Sequence, residues 1–324
     1  MLTPSRRQTL VALAGLCVGP LALAETWPSK PIKIIVPFPA GGATDAIARL
    51  VAERLGLRLG QAVIIENKPG AATVIGMDMV AKSAADGYTL LVSGASSFTV
   101  IPALRTKLPF DMAKAFAPVS LLVNAPLVVL TSSAKPYLKL ADFLAQAKAN
   151  PKALTYSTFG AGSAPHLVGE MLAYEAHVDI EPVPYKGSAE ALIGVMRGDV
   201  DIGVDTLSAA SPQIKAGKLR VLAVATGKRS SFLPDTPGMD ELRLPNASFE
   251  AFYAVAAPAA TPPAVLSRLT KEINEIMLQS DVREKCTQLA MEVVAQGPDT
   301  LRAVMKHETD KLRELGLRIK ISLD

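Results

Sequence analysis

Short β-branched runs alternate with amphipathic stretches along most of this chain, and that alternation restricts the fold more than any other feature. Ile32–Val36 reads as a strand closed by Pro37. Residues 45–59 follow as a helix; Ile47, Leu50, Val51 and Leu55 share one face, and Thr44 or Asp45 can cap it. Residues 63–66 (strand), 72–84 (helix) and 88–93 (strand) continue the order, which predicts a parallel sheet with helices on both faces. The rhythm restarts at 127–131. Helix 140–149 stops at Asn150-Pro151, strand 153–157 follows, and helix 163–176 opens on Ser163 as N-cap. Strand 180–183, helix 188–197, strand 201–204, helix 208–216 (closed by Gly217) and strand 219–225 complete a second unit. A chain of 324 residues has room for two such units.

Proline punctuation at 234–245 precedes a strand at 249–256. Thr261-Pro262 then signals a helix start, with Val265, Leu266, Leu269, Ile273, Ile276 and Met277 on one stripe. A last helix, 301–315, is expected to end at Gly316. These C-terminal helices have no sheet of their own and are expected to pack back on the first unit. The domain reading is residues 25–123 with 247–324 as lobe 1 and 124–246 as lobe 2. Two crossings, near 119–124 and 246–250, make a hinge, and a hinge between α/β lobes makes a ligand cleft.

The mean hydropathy of +0.28 raises the question of a membrane. The N-terminus answers it: Arg6 and Arg7, then small apolar residues to Ala22-Leu23-Ala24, describe a secretory signal peptide over 1–24. Residues 5–10, Ser-Arg-Arg-Gln-Thr-Leu, fit twin-arginine as well as ordinary export. The next apolar run, 119–131, is broken by Asn124 and Pro126. No membrane insertion is expected after cleavage, and the mature protein is expected to be soluble and exported. Loss of Arg6 and Arg7 lowers the net charge from +4 to +2. No basic cluster with interleaved aromatics occurs, so no nucleic-acid partner is expected. Of 2 cysteines, Cys17 leaves with the signal, and Cys286 reads as a small buried hydrophobe.

Glycine-rich loops between strands and helices carry the chemistry. Phe38, Ala40, Gly41, Gly42, Ala43, Thr44 and Asp45 join the first strand to the first helix. A bare backbone there can approach a ligand, and the helix N-terminus offers free N–H groups to an anion such as a carboxylate; the alternative is a plain tight turn. Gly160, Ala161, Gly162 and Ser163 form a similar loop in the second unit, so two helix ends can face one cleft. His166 can act as a base, a ligand contact or a brace for that loop, and bracing is preferred. Lys186, before Gly187-Ser188, can touch an anion. Asp205 can accept from an amino group or cap the next helix. His177 and His307 read as surface residues, and Asp199/Asp201 and Asp240/Glu241 as solvated turns. Only 3 histidines occur, with no dinucleotide, P-loop, Gly-x-Ser-x-Gly or His-Glu-x-x-His motif. No metal, cofactor or catalytic residue is expected.

These loops also carry a family resemblance. Trp27-Pro28 with Lys30-Pro31-Ile32, then residues 37–45 with Ile47-Ala48-Arg49, Glu66 to Ala71, Asp86 to Leu90, Gly160 to Leu167, Val183 to Ser188 and Gly217 to Arg220 stand in order. Together they resemble the Bug/TctC family, extracytoplasmic solute receptors of tripartite tricarboxylate transporters. The resemblance implies a type II periplasmic-binding-protein fold that closes on a small carboxylate. Its contacts would include the two loops above, His166, Lys186 and Asp205, with Ser93, Ser96 and Ser97 on the cleft floor. The sequence departs from the family pattern at Ala72-Thr73-Val74, where Gly-Gly-Asn is usual, at Ile101, at Phe159, where a small residue is usual, and at Gly238. These changes point to a less polar or reshaped pocket.

The combined expectation is a monomeric, non-enzymatic periplasmic receptor whose partners are a small carboxylate and the membrane permease subunits of its transporter. A sensor docking on a signalling partner, and a cleft enzyme using His166 with Asp205, are the alternatives.

Overall fold

The computed structural model describes residues 27–319 and 321; the signal-peptide reading falls outside the described residues. Strand β1 (Ile32–Val36), helix α1 (Ala43–Leu59), β2 (Val63–Asn67), α2 (Val74–Ala81) and β3 (Thr89–Gly94) open the chain. Short helices α3 (Ile101–Leu104) and α4 (Met112–Ala115) lead to β4 (Phe116–Ala125). The second unit runs β5 (Leu127–Ser132), α5 (Leu140–Ala149), β6 (Thr155–Thr158), α6 (Ala164–Ala176), β7 (Glu181–Pro184), α7 (Ser188–Arg197), β8 (Ile202–Thr206), α8 (Leu207–Lys215) and β9 (Leu219–Val224). Strand β10 (Ala251–Pro258), α9 (Pro263–Met277), α10 (Ser280–Gln288), β11 (Glu292–Gln296) and α11 (Pro298–Ile319) complete it.

Among the described residues these strands form a six-stranded sheet, β11-β4-β10-β3-β1-β2, and a five-stranded sheet, β7-β6-β8-β5-β9. Each is mixed rather than wholly parallel. β1 pairs parallel with β2 and β3, and β6 with β7 and β8, as βαβ crossovers require. β10 is antiparallel to both β3 and β4, and β5 is antiparallel to β8 and β9. The antiparallel members are the strands through which the chain changes sheets. β4 ends at Ala125 and β5 begins at Leu127, with only Pro126 between them. Proline has no N–H for a ladder, so pairing stops there, while its carbonyl accepts from Leu207 N–H at 2.9 Å. Residues 119–124, read as a crossing, are instead inside β4.

The C-terminal segment also differs from expectation. β11 pairs antiparallel with β4, Glu292 opposite Asn124, so this region does add a strand to the first sheet. Gly316 does not end the last helix, which runs on to Ile319. A β-carbon at Gly316 would meet Leu104 Cδ2 at 2.3 Å, so this glycine serves the close approach of α11 to α3. Helix α1 begins at Ala43 rather than at 45, and neither Thr44 nor Asp45 is its N-cap.

β3 and β10 are covered on both faces, and β1 is covered except at Lys33. Leu269, Ile273, Ile276 and Met277 on α9 bury one stripe, joining Ile47, Val51 and Leu55 of α1 in one core. A second core runs from Leu91 and Phe98 through Phe252 and Leu127 to Phe143, Tyr156 and Leu167, crossing between the sheets. Burial of this apolar area is the main stabilising term, at roughly 25 cal/mol per Å². Cys286 is buried in the first-sheet core, and burial pushes its thiol up to about 11, so it is an unreactive packing residue. Asp201 is not a solvated turn residue: it is 8% exposed, pairs with Lys135 Nζ at 2.8 Å, and accepts from Thr155 N–H at 2.9 Å. It ties β6 to the start of β8. Asp199, Asp240, Glu241, His177 and His307 are exposed.

Candidate functional site

A cavity of about 810 Å³ opens between the sheets, where the loops after β1, β6 and β8 converge. Phe38, Ala40, Gly42, Ala43 and Thr44 line it from the first sheet, with Ser96 below them. Gly160, Ala161, Ser163, Lys186 and Asp205 line it from the second. Six residues of the expected site do not. Gly41 (φ +90°) makes the turn, and its N–H donates to Asp45 Oδ2 at 3.0 Å. Asp45 is buried and holds the loop. Burial alone would raise its pKa, but bonds from Arg49, the Gly41 N–H and Asn67 outweigh this and hold it below the usual carboxylate value. Asn67 Nδ2 donates to both Asp45 Oδ1 and the Phe38 carbonyl, each at 3.0 Å.

Ser93 and Ser97 share a hydrogen bond of 2.5 Å and are buried beneath the floor. Gly162 is buried behind its loop. Its N–H points to His166 Nδ1 at 3.5 Å, while His166 Nε2 lies 3.8 Å from Glu170. The imidazole therefore faces its own loop and helix, and burial lowers its pKa. Sequence reading missed Pro69 to Thr73, Tyr185 and the β10 residues Ala251 to Tyr253, which also line the cavity. Nothing local marks a β10 residue as cleft-facing, because that depends on its pairing with β3 and β4.

The helix ends differ in availability. At α6, Ser163 Oγ accepts from the N–H groups of His166 (3.3 Å) and Phe159 (3.2 Å), and Ala164 N–H donates to Ser96 Oγ at 2.9 Å. That terminus is satisfied by protein. At α1 the N-cap is Gly42 and at α7 it is Gly187, and neither has a side-chain cap. These two ends meet: a β-carbon on Gly42 would lie 3.8 Å from Ser188 Cβ, and one on Gly187 would lie 3.0 Å from Pro39 Cγ. Two positive helix ends without a side-chain cap thus adjoin on the cavity wall. The pair is α1 and α7, not α1 and α6. The Ser96–Ala164 bond and the Pro39–Gly187 contact join loops of opposite sheets across the cleft.

Asp205 is 3% exposed and ends β8. Ser188 Oγ donates to its Oδ2 and Thr206 N–H to its Oδ1, each at 2.7 Å. Thr206, not Asp205, caps α8, accepting from Ala209 N–H. Burial outweighs these bonds and pushes Asp205 up to about 7. Nearby, Tyr253 is buried on the same wall; burial, then the Asp205 charge, raise its phenol. The folded pKa of Asp205 exceeds the unfolded value of about 3.9, so the folded state holds the extra proton. Its stabilisation is complete below about pH 4 and disappears as pH rises through 7. Asp205→Asn is expected to remove that loss, stabilising the protein relative to wild type by a few kcal/mol at pH 8.5 and by roughly a third as much at pH 5. Urea unfolding at the two pH values checks this; an equal difference at both contradicts it.

The segment 70–73 is strained. Ala71, Ala72 and Thr73 have φ of +46°, +51° and +83°, a left-handed run without a glycine after Gly70. Ala72 and Thr73 are two of the departures from the usual Gly-Gly-Asn. Each such residue costs on the order of 1 kcal/mol. Ala72→Gly is therefore expected to raise stability by about 0.5–1 kcal/mol in chemical denaturation, and a loss of stability would contradict the strain.

The family model for the tripartite tricarboxylate transporter family receptor matches residues 47–320. The chain belongs to that receptor family. It is 36% identical over 315 residues to BugT of Bordetella pertussis, covering 96% of each chain. Among solved structures, R. palustris Rpa4515 with adipate is 29% identical with a TM-score of 0.88, covering 91% of this chain and 99% of that one. MatC from Rhodopseudomonas palustris with bound malate is 30% identical with a TM-score of 0.85, covering 89% and 99%. The protein is thus a solute receptor of the tripartite transporter type, with the two-lobed periplasmic-binding-protein fold. No helix among the described residues is long and apolar enough to cross a membrane.

Proposed function

We propose that this receptor captures a small carboxylate in the periplasm by closing its lobes, residues 25–123 with 247–324 and 124–246, and delivers it unaltered to membrane permease subunits. It acts as a monomer without a cofactor. The observation that carries this reading is the meeting of two uncapped helix N-termini, at Gly42 and Gly187, on the cleft between the sheets. Relatives solved with adipate and malate support the ligand class. Each helix end contributes ~0.3–2 kcal/mol toward an anion, whereas micromolar affinity needs about 8 kcal/mol. Hydrogen bonds and apolar burial on closure must supply the remainder. Of the expected contacts, Phe38, Ala40, Gly42 to Thr44, Ser96, Gly160, Ala161, Ser163, Lys186 and Asp205 are the direct candidates. Gly41, Asp45, Ser93, Ser97, Gly162 and His166 act as positioning residues.

A thermal-shift screen of carboxylates on protein refolded to strip co-purified ligand tests this. A ligand at ~100 times its dissociation constant adds about 2.7 kcal/mol, enough for a shift of a few degrees. No shift with any carboxylate would overturn the reading, and chemical alteration of the recovered ligand would overturn the claim of delivery unaltered.

A further inference from the structure

We infer that the ligand is an aromatic monocarboxylate whose ring lies against Phe159, an assignment that rests on the carboxylate reading above. The first observation is Phe159 itself. It is half-buried on the cavity wall, yet it packs in none of the three hydrophobic cores. Its backbone is anchored, because its N–H donates to Ser163 Oγ at 3.2 Å. A ring with no core partner on an anchored loop has an apolar face to offer to whatever fills the cavity. Its loop neighbour in the first lobe, Phe38, differs: it packs against the first-sheet core.

The second observation is the distribution of aromatics. Only 5% of the chain is aromatic, yet Phe38, Phe159, Tyr185, Phe252 and Tyr253 all line this one cavity. Two are anchored from behind: Phe252 stacks on Phe98 at 12° between planes, and Tyr185 packs so closely on α7 that a β-carbon at Gly194 would lie 2.2 Å from its hydroxyl. These are rigid walls suited to a flat apolar body.

The third observation is charge. The ionisable side chains on the wall are Arg105, Lys186, Glu190, Asp205 and the two tyrosines, so cations and carboxyl groups are equal in number. Because buried Asp205 keeps its proton up to about pH 7, the wall carries about one surplus positive charge, which matches a single ligand carboxylate; a second or third would meet none to offset its desolvation. One carboxylate at the Gly42–Ser188 junction and an uncharged ring toward Phe159 satisfy both parts of the wall.

Calorimetric titration of stripped protein with benzoate, 4-hydroxybenzoate, phenylacetate, malate and citrate is the test. The expected result is binding of at least one aromatic acid at least about tenfold tighter than malate or citrate. Phe159→Ala is expected to weaken that binding about tenfold or more, and Phe159→Tyr to retain it. Because Phe159 is outside every core, thermal unfolding of both variants should match wild type. Binding of malate or citrate with every aromatic acid silent would overturn the assignment and leave the carboxylate reading standing. Silence from the whole panel would overturn both. Unchanged aromatic-acid affinity in Phe159→Ala would overturn the role of the ring.

Discussion

Gly42→Asp is expected to abolish carboxylate binding while the protein still folds. The backbone at Gly42 is extended, φ −87° and ψ 175°, which any residue adopts. A β-carbon there meets only Ser188 Cβ at 3.8 Å, an ordinary contact. Aspartate is a favoured N-cap, and against glycine it changes helix stability by only a few tenths of a kcal/mol. Its carboxylate would take the first-turn N–H groups of α1 and place a fixed negative charge at the Gly42–Ser188 junction. Two like charges ~4 Å apart repel by about 4 kcal/mol at an intermediate dielectric, so a loss of at least about 100-fold is expected. Gly42→Asn caps the helix without the charge and is expected to lose less. Calorimetry with far-UV circular dichroism separates the outcomes; wild-type affinity in Gly42→Asp would remove this junction as the anion site.

The second large effect is on stability. A β-carbon at Gly169 of α6 would lie 2.0 Å from Cε2 of Tyr156. Tyr156 cannot yield: it is fully buried on β6 and its hydroxyl donates to Glu170 Oε1 at 2.5 Å. Gly169→Ala must therefore push α6 away from the sheet, and overpacking of this kind costs about 1–3 kcal/mol or more. The displaced helix carries Ser163 and the Ser96–Ala164 bond with it, so ligand affinity should fall together with the urea midpoint. Wild-type stability would show that β6 and α6 can separate without penalty.

The order of strands and helices was legible because β-branched runs such as Ile32–Val36 and stripes such as Leu269, Ile273 and Ile276 declare their periods locally. Strand direction was not. β10 and β5 look like other strands, and they are antiparallel only because the chain changes sheets at Pro126 and again before Ala251. β11 escaped notice as a five-residue edge strand with little buried surface. In the cleft, glycine loops marked the right region, but not which helix end is free. Ser163 was legible as the cap of α6. That Ser96, 68 residues away, takes the next N–H is a property of the tertiary structure. Asp45 and Asp205 look alike in sequence. Asp45 is held ionised by bonds from Arg49, Gly41 and Asn67, whereas Asp205 is raised by burial, which is set by the tertiary packing around β8 and not by its local sequence.

The central claim is that a ligand carboxylate sits where α1 and α7 meet. A crystal structure of the receptor with its tightest-binding carboxylate tests it most directly. The account predicts carboxylate oxygens within about 2.7–3.2 Å of the first-turn N–H groups of α1, Ala43 and Thr44, with the Ser96–Ala164 bond intact. A carboxylate seated instead on the N-terminus of α6, with that bond broken, or bound outside the cleft, would contradict it.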